Sequence, residues 1–452
     1  MFRKFANKNV LVIGVAKSGY SAILALSQLG AHAFIFDSDY SKVVMLMKSR
    51  LSDSTVVPIK KVTKRFLAGL DLVVLSPGVP IKSKVVTLAR KMGVNVIGEL
   101  ELGYKMINCP LYAITGTNGK TTVTCLLGEI FSKANYVTHT IGNVGIPITS
   151  VALEARKNDI GVVEVSSYQL ETIEDFHAFG MGITNITSDH LDRHGTIENY
   201  IAAKFKIFKN ATKTDFALLN ADDEVVAGFA KDLGCRIYYF SLKKTVQGVC
   251  CRGDEVVFRE GKKETVLFKQ KDLRVVGTHN LANTMLAGGM AFLSGITPAV
   301  ISAAVADFRG VEHRLEFVEN IEGVDFYNDS KATNPDSVLV AVAAFQVPIV
   351  LIMGGSDKNS DFCEMFSELP KNVRKVVVCG ATSKKIMAAA GKSGFKDIVE
   401  VAMLSDAVTF AKAEAHSGEV VLLSPGCASF DAFNNFEHRG EVFKALVRGV
   451  EE

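Results

Sequence analysis

The chain has 452 residues, of which 48% are hydrophobic and 22% charged, an ordinary globular composition that excludes a disordered or collagen-like polymer. At about 150 residues per domain, roughly three domains are expected. Lys+Arg 51 against Asp+Glu 48 leaves a formal charge of only +3, too near balance for the dense basic field that non-specific nucleic-acid binding needs, so nucleic acid is not expected as a main partner.

Residues 9–98 alternate short apolar runs at 9–13, 33–36, 70–75 and 94–97 with amphipathic stretches, the rhythm of βαβ units around a parallel sheet. Gly14-Val15-Ala16-Lys17-Ser18-Gly19 after the first run and Asp37 after the second come close to a dinucleotide fingerprint with its ribose-binding acid. Ala16 stands where a glycine would let backbone approach a pyrophosphate. NAD chemistry is therefore disfavoured, while some nucleotide at this sheet edge is expected. Ser76-Pro77-Gly78-Val79-Pro80 ends another run, either to close over that ligand or as a plain turn.

A second α/β series opens at 111–115 and continues at 160–165, 181–185 and 216–220, with 248–269 read as a hairpin insertion. Gly116-Thr117-Asn118-Gly119-Lys120-Thr121-Thr122 joins its first strand to a helix. Backbone N–H groups of such a turn concentrate positive charge where a triphosphate can sit. Lys120 adds a full charge, and the Thr121 hydroxyl can bind magnesium. Glu164, inside an apolar strand, is costly there unless paired or metal-bound, which makes it a candidate magnesium ligand. His190, within a run of acids and imidazoles at 187–194, is either a second ligand or part of a solvated loop.

On a helix over 199–210, about 100° per residue places Tyr200, Ile201, Ile207 and Phe208 on one arc with Lys204 at its middle, while Lys206 and Lys209 face away. Lys204 either snorkels to water or is a desolvated amine with a depressed pKa. Asn280 and Asn283 share a helical face, suited to reading a base edge or to capping.

A third series follows residue 309, with strands at 347–353, 375–379 and 419–423. His313-Arg314, a polar loop at 327–335, a Gly354-Gly355 loop reaching Lys358, and a loop at 423–431 suggest a ligand mouth at the carboxyl edge of a sheet. The reading gives domains at 1–98, 99–309 and 310–452.

In this order GTNGKTT, EVSSYQLE, TSDHLDRHG, the lysine helix, HNLAN, HR, NDSKATNPDS and SPGCASFD resemble the Mur ligase family over essentially the whole chain. The last two motifs resemble its D-glutamate-adding branch. The resemblance implies a three-domain α/β protein: a Rossmann-like N-terminal domain for a UDP substrate, a central P-loop ATPase-like domain, and a Rossmann-like C-terminal domain for the amino acid. ATP and Mg2+ are the implied cofactors. Gly116, Thr117, Asn118, Gly119, Lys120, Thr121 and Thr122 would surround the phosphates. Thr121, Glu164, His190 and a carbamylated Lys204 would hold magnesium. Asn280 and Asn283 would meet the adenine side, with Arg314, Asp329 and Lys331 completing the ATP site. Asp37, Ser38 and Gly78 would bind the uridine diphosphate, Asn143 the muramoyl part, and Thr333, Lys358, Ser429 and Phe436 D-glutamate. Lys120, Glu164, His190, Lys204 and Lys331 would carry the catalysis. The two-residue spacing between the loop glycines, short for a phosphate loop, is normal for this family.

The implied reaction joins D-glutamate to UDP-N-acetylmuramoyl-L-alanine through an acyl phosphate, in peptidoglycan precursor synthesis, with domain closure about residue 309. A folylpolyglutamate synthase is the alternative ligase. An NAD-dependent oxidoreductase and a non-catalytic nucleotide-binding regulator are alternatives of other classes. Eight cysteines form no CxxC pair, and the apolar run at 10–13 is too short for a signal or membrane segment. A cytoplasmic monomer with no membrane partner is expected.

Overall fold

A computed structural model describes residues 5–51, 56–187, 190–229, 233–356 and 360–450, so Lys358 lies outside the described residues. Three sheets follow one another along the chain. In the first, Asn9–Ile13 lies between His32–Phe36 and Leu72–Leu75, with Val57–Pro58 and Asn95–Gly98 at the two edges and all pairings parallel. The strand order reverses beside Asn9–Ile13, and an open α/β sheet binds ligands at such a crevice. Gly14, Asp37 and Ser76 all follow the carboxyl ends of these central strands.

The second sheet runs Lys263–Lys269, Glu255–Glu260, Gly248–Arg252, Arg236–Ser241, Phe216–Asn220, Gly180–Ile183, Leu111–Thr115, Ile160–Glu164, Thr138–Gly142. The hairpins expected over 248–269 form, with turns at 253–254 and 261–262, and they continue the main sheet through a parallel pairing of Gly248–Arg252 with Arg236–Ser241. Two strands absent from the sequence reading join it. Thr138–Gly142 is an edge strand with one buried residue, and Arg236–Ser241 is buried only at its last two positions. Neither carries the continuous apolar run of a strand covered on both faces.

The third sheet orders Glu316–Ile321, Val324–Asn328, Val420–Leu423, Ile349–Gly354, Val373–Cys379 and Ile398–Glu400, parallel except for the first pair. Successive residues of Val373–Cys379 alternate between its two cores. Val376 and Val378 pack with Val338 and Leu351, and Val377 packs with Phe326 and Phe443. By packing, residues 1–270 and 282–305 form one compact unit and 271–281 with 306–452 a second. The eight cysteines are free thiols. Among the described residues no helix is long and apolar enough to cross a membrane.

Candidate functional site

In the first unit, the fully buried strand Leu111–Thr115 delivers the glycine turn to helix Lys120–Lys133, whose N-cap Gly119 has φ +83°. A Cβ there would lie 2.2 Å from Asn283 Oδ1, and one on Gly116, at φ +142°, would lie 1.9 Å from Thr184 Oγ1. Only glycine fits either position. The turn is pinned beneath: Asn118 N donates to Asn185 Oδ1 (3.0 Å), while Thr184 Oγ1 and Asn185 Nδ2 donate to Asn118 O (2.6 and 3.1 Å). Lys120 Nζ donates to the carbonyls of Thr117 (2.7 Å) and Gly116 (3.0 Å).

Glu164 is 2% exposed at the end of its strand. Its Oε2 accepts from Thr121 Oγ1 (2.8 Å) and its Oε1 from Asn143 Nδ2 (2.7 Å). These partners are a hydroxyl and an amide, neither of them a counter-charge, and the carboxyl stands at the phosphate loop through Thr121. Hard oxygens of this kind fit magnesium.

Lys204 sits on helix Ile197–Phe205, N-capped by Thr196 and followed by a single 3-10 turn rather than extending to 210. It is 2% exposed and does not snorkel. Its Nζ donates to Gly116 O at 2.5 Å and lies 4.6 Å from the Tyr200 ring centre. The Tyr200 hydroxyl lies 3.1 Å from Thr117 Oγ1, so helix and phosphate loop are joined at two points. Lys206 and Lys209 reach outward to the carbonyls of Glu171 and Ile173.

His190 has φ +53° and places its ring 4.9 Å from Tyr168 and 6.3 Å from Tyr200. His194 Nε2 lies 3.0 Å from Ser167 Oγ, and burial holds its pKa below the usual imidazole value. Beside these rings opens a cleft of about 730 Å³ lined by Gly78, Lys82, Tyr168, Arg193, His194 and Lys206, among others. At the sheet edge Asp37 accepts from Val15 N (3.1 Å) and Asp39 N (3.0 Å), bracing the first turn, with Ser38 Oγ 3.5 Å from its carboxylate.

In the second unit Asp329 is buried, accepting from Ser424 Oγ (2.9 Å) and Leu315 N (3.3 Å). Burial pushes its carboxyl up to about 7, partly opposed by those hydrogen bonds and by Arg314. Lys331 Nζ lies 5.6 Å from the ring of Phe436, whose carbonyl accepts from Ser330 Oγ (2.8 Å). Ser429 is 2% exposed. Thr333 precedes helix Pro335–Val342, which Asn334 caps. Asn280 Nδ2 donates to Val276 O (2.7 Å), an i to i−4 bond that decides neither the base-reading nor the capping option.

Sequence reasoning missed Arg439. This residue is 3% exposed on helix Phe436–Arg448 and donates to Ser330 Oγ (3.0 Å) and to the carbonyls of Ser330 (2.8 Å), Cys427 (3.1 Å), Ala428 (3.2 Å) and Gly354 (3.4 Å). One guanidinium thus holds together three of the polar loops, and burial lowers its pKa to about 10. The available signal was its place on the apolar stripe with Phe443 and Val447.

Three family models match: "Mur ligase MurD-like, N-terminal domain" over residues 8–98, "Mur ligase middle domain" over 114–291, and "Mur ligase, glutamate ligase domain" over 313–427. A UDP-N-acetylmuramoylalanine–D-glutamate ligase of Caldanaerobacter subterraneus is 43% identical over 97% of this chain and 98% of its own length. The same-named ligases of Alkaliphilus oremlandii and Clostridioides difficile are 42% and 40% identical, each over 98% of this chain and at least 98% of their own. Among solved structures, the UDP-N-acetylmuramate–alanine ligase of Thermotoga maritima aligns over 98% of this chain and 99% of its own with TM-score 0.58 and 19% identity, a likeness of fold. A pseudomurein peptide ligase of Methanothermus fervidus aligns over 98% and 100% with TM-score 0.56 and 16% identity. With matches along nearly its whole length, the chain belongs to the Mur ligase family, among the UDP-N-acetylmuramoylalanine–D-glutamate ligases.

Proposed function

We propose that this ligase spends ATP on activating the carboxylate of UDP-N-acetylmuramoyl-L-alanine and joins it to D-glutamate, acting as a cytoplasmic monomer. A carboxylate is a poor electrophile, and an ammonium is no nucleophile. Transfer of the γ-phosphoryl group to the carboxylate oxygen gives ADP and an acyl phosphate. The deprotonated D-glutamate amine then attacks the acyl carbon, the C–N bond forms, and phosphate leaves with the bridging oxygen.

The turn at 116–122 cradles the phosphates with its backbone N–H groups and Lys120. Thr121, Glu164 and His190, with Lys204, would hold magnesium, which supplies neutralisation of the charge spread over the transferred group. A neutral Lys204 Nζ can add carbon dioxide and release a proton, becoming a carbamate. That change turns a buried amine into an oxygen ligand. In the second unit Arg314, Asp329 and Lys331 would complete the ATP site, and Thr333, Lys358, Ser429 and Phe436 would receive D-glutamate. Asp37, Ser38, Gly78 and Asn143 would bind the UDP-sugar.

The observation that carries this reading is the buried Thr121–Glu164 pair at 2.8 Å, with Lys204 Nζ on the Gly116 carbonyl of the same loop. Phosphate release that requires both D-glutamate and the UDP-sugar, with the amide detected by mass spectrometry, is the expected result. Release indifferent to D-glutamate, or equal turnover with a folate in place of the UDP-sugar, would overturn it.

A further inference from the structure

The loop at 76–80 is anchored where it leaves its strand, because Ser76 Oγ donates to Gly14 O at 2.8 Å. Its tip is held by Arg193, which lines the same 730 Å³ cleft as Gly78. Arg193 Nη1 donates to Pro77 O (3.1 Å) and Nη2 to Val79 O (3.3 Å). The same fork clamps Glu171 Oε2 through Nη2 (2.6 Å) and Nε (3.2 Å). Its Cζ lies 4.1 Å from the Tyr168 ring centre. The Arg193 and Glu171 side chains are 14% and 9% exposed. All three guanidinium nitrogens are engaged on a carboxylate and two carbonyls from different segments, and a lysine ammonium cannot reproduce that planar geometry.

The placement gives these bonds a consequence. Arg193 lies three residues beyond His190 and Glu171 follows the strand that ends at Glu164, so this side of the cleft is built by the segments that carry the expected metal ligands. Pro77 and Val79 flank Gly78 on the uridine-diphosphate side. A UDP-sugar bound in this cleft must span both sides, with its nucleotide end at the 76–80 loop and its carboxylate at the acyl-transfer end. The separation of the two sides therefore sets whether one ligand can satisfy both.

We propose that Arg193, held by Glu171, is a positioning residue that fixes the 76–80 loop at the span the UDP-sugar substrate requires. The assignment rests on the ligase reading above. Without the fork the loop tip loses its two carbonyl bonds while the phosphate loop and the second unit keep theirs, so the loss falls on one substrate.

The test is steady-state kinetics on the full chain, varying UDP-N-acetylmuramoyl-L-alanine, ATP and D-glutamate in turn for wild type, Arg193→Ala and Arg193→Lys. Losing charge-assisted hydrogen bonds predicts an increase of about tenfold or more in KM for the UDP-sugar in Arg193→Ala, with the other two KM values within about twofold. Arg193→Lys keeps the charge without the fork and should retain most of that increase. If Arg193→Ala fails to fold, Arg193→Lys alone decides. An unchanged KM for the UDP-sugar, equal increases for all three substrates, or full recovery by lysine overturns the assignment. Wild type that forms no amide sinks the ligase reading and this inference with it, whereas active wild type with indifferent variants sinks only the inference.

Discussion

A buried nitrogen donor needs polar partners: Lys204 donates to the Gly116 carbonyl, and Arg439 to Ser330 Oγ and to carbonyls of three loops. For Lys204, a place on an apolar arc was legible from helical spacing, because the residues around it at 200, 201, 207 and 208 are all apolar or aromatic, but spacing left snorkelling to water open and burial decides it. Its partner was not legible, since Gly116 lies 88 residues away in sequence. Replacing Lys204 with Ala should abolish turnover and be partly rescued by short carboxylic acids that supply the missing oxygen ligand. Unchanged activity in the variant excludes the carbamate role. Asp329 offers a test through pH. Its carboxyl rises to about 7 on burial, so the folded chain binds more protons than the unfolded chain between about pH 4 and 7. Its contribution to stability therefore falls as pH rises through that window and is constant above it. Asp329→Asn can still accept from Leu315 N and can donate to Ser424 Oγ. It should melt like wild type near pH 4 and be more stable at pH 8, by on the order of 2–4 kcal/mol. Equal differences at the two pH values would contradict this account.

Elements add what single residues cannot: the direction in which side chains are delivered. Both glycines of the phosphate turn have positive φ and no room for a Cβ, so Gly119→Ala forces the turn off Asn283 and should weaken binding of an ATP analogue by at least about tenfold while far-ultraviolet circular dichroism stays unchanged. Retained affinity in calorimetry would mean that the turn tolerates the side chain. Helix Phe436–Arg448 makes a complementary case, because it presents Arg439 to three loops and starts at Asn435, whose side chain accepts from His438 N at 2.7 Å. Asn435→Ala should cost about 1 kcal/mol in urea unfolding, the ordinary value of a lost N-cap. Strands buried on both faces were read from their apolar runs nearly to the residue. The polar edge strand Thr138–Gly142 was not, because such a strand needs only one buried position to be held by its neighbour's backbone. The interior strands Arg236–Ser241 and Val324–Asn328 were missed as well, the first for its partly exposed residues and the second because Tyr327-Asn328 opens a polar run that reads as a loop.

Across the whole molecule the residues expected around one nucleotide are divided between two compact units. The phosphate turn, Glu164, Lys204 and Asn283 belong to one, and Asn280, Arg314, Asp329 and Lys331 to the other. Motif order separated Arg314, Asp329 and Lys331 from the phosphate turn, but Asn280, expected within 99–309, packs with the second unit because residues 271–281 do. Packing then assigns the first and second sheets to the same unit, which no local pattern could reveal, because the contacts joining them are long-range. The Ser21–Thr149–Glu99 chain is one: Ser21 Oγ lies 2.7 Å from Thr149 Oγ1, which donates to the buried Glu99 at 2.6 Å. An acyl phosphate survives only where water is excluded, and the proposed reaction would draw on residues from both units. Binding of the UDP-sugar with a non-hydrolysable ATP analogue should therefore change the arrangement of the two units, and small-angle scattering should record a radius of gyration different from that of the free chain. The UDP-sugar alone, whose expected partners Asp37, Ser38, Gly78 and Asn143 all belong to the first unit, should produce a smaller change than the pair. Superimposable scattering curves for free and doubly liganded protein would show that the units need no rearrangement, and the shielding of the intermediate would then have to come from side chains within each unit.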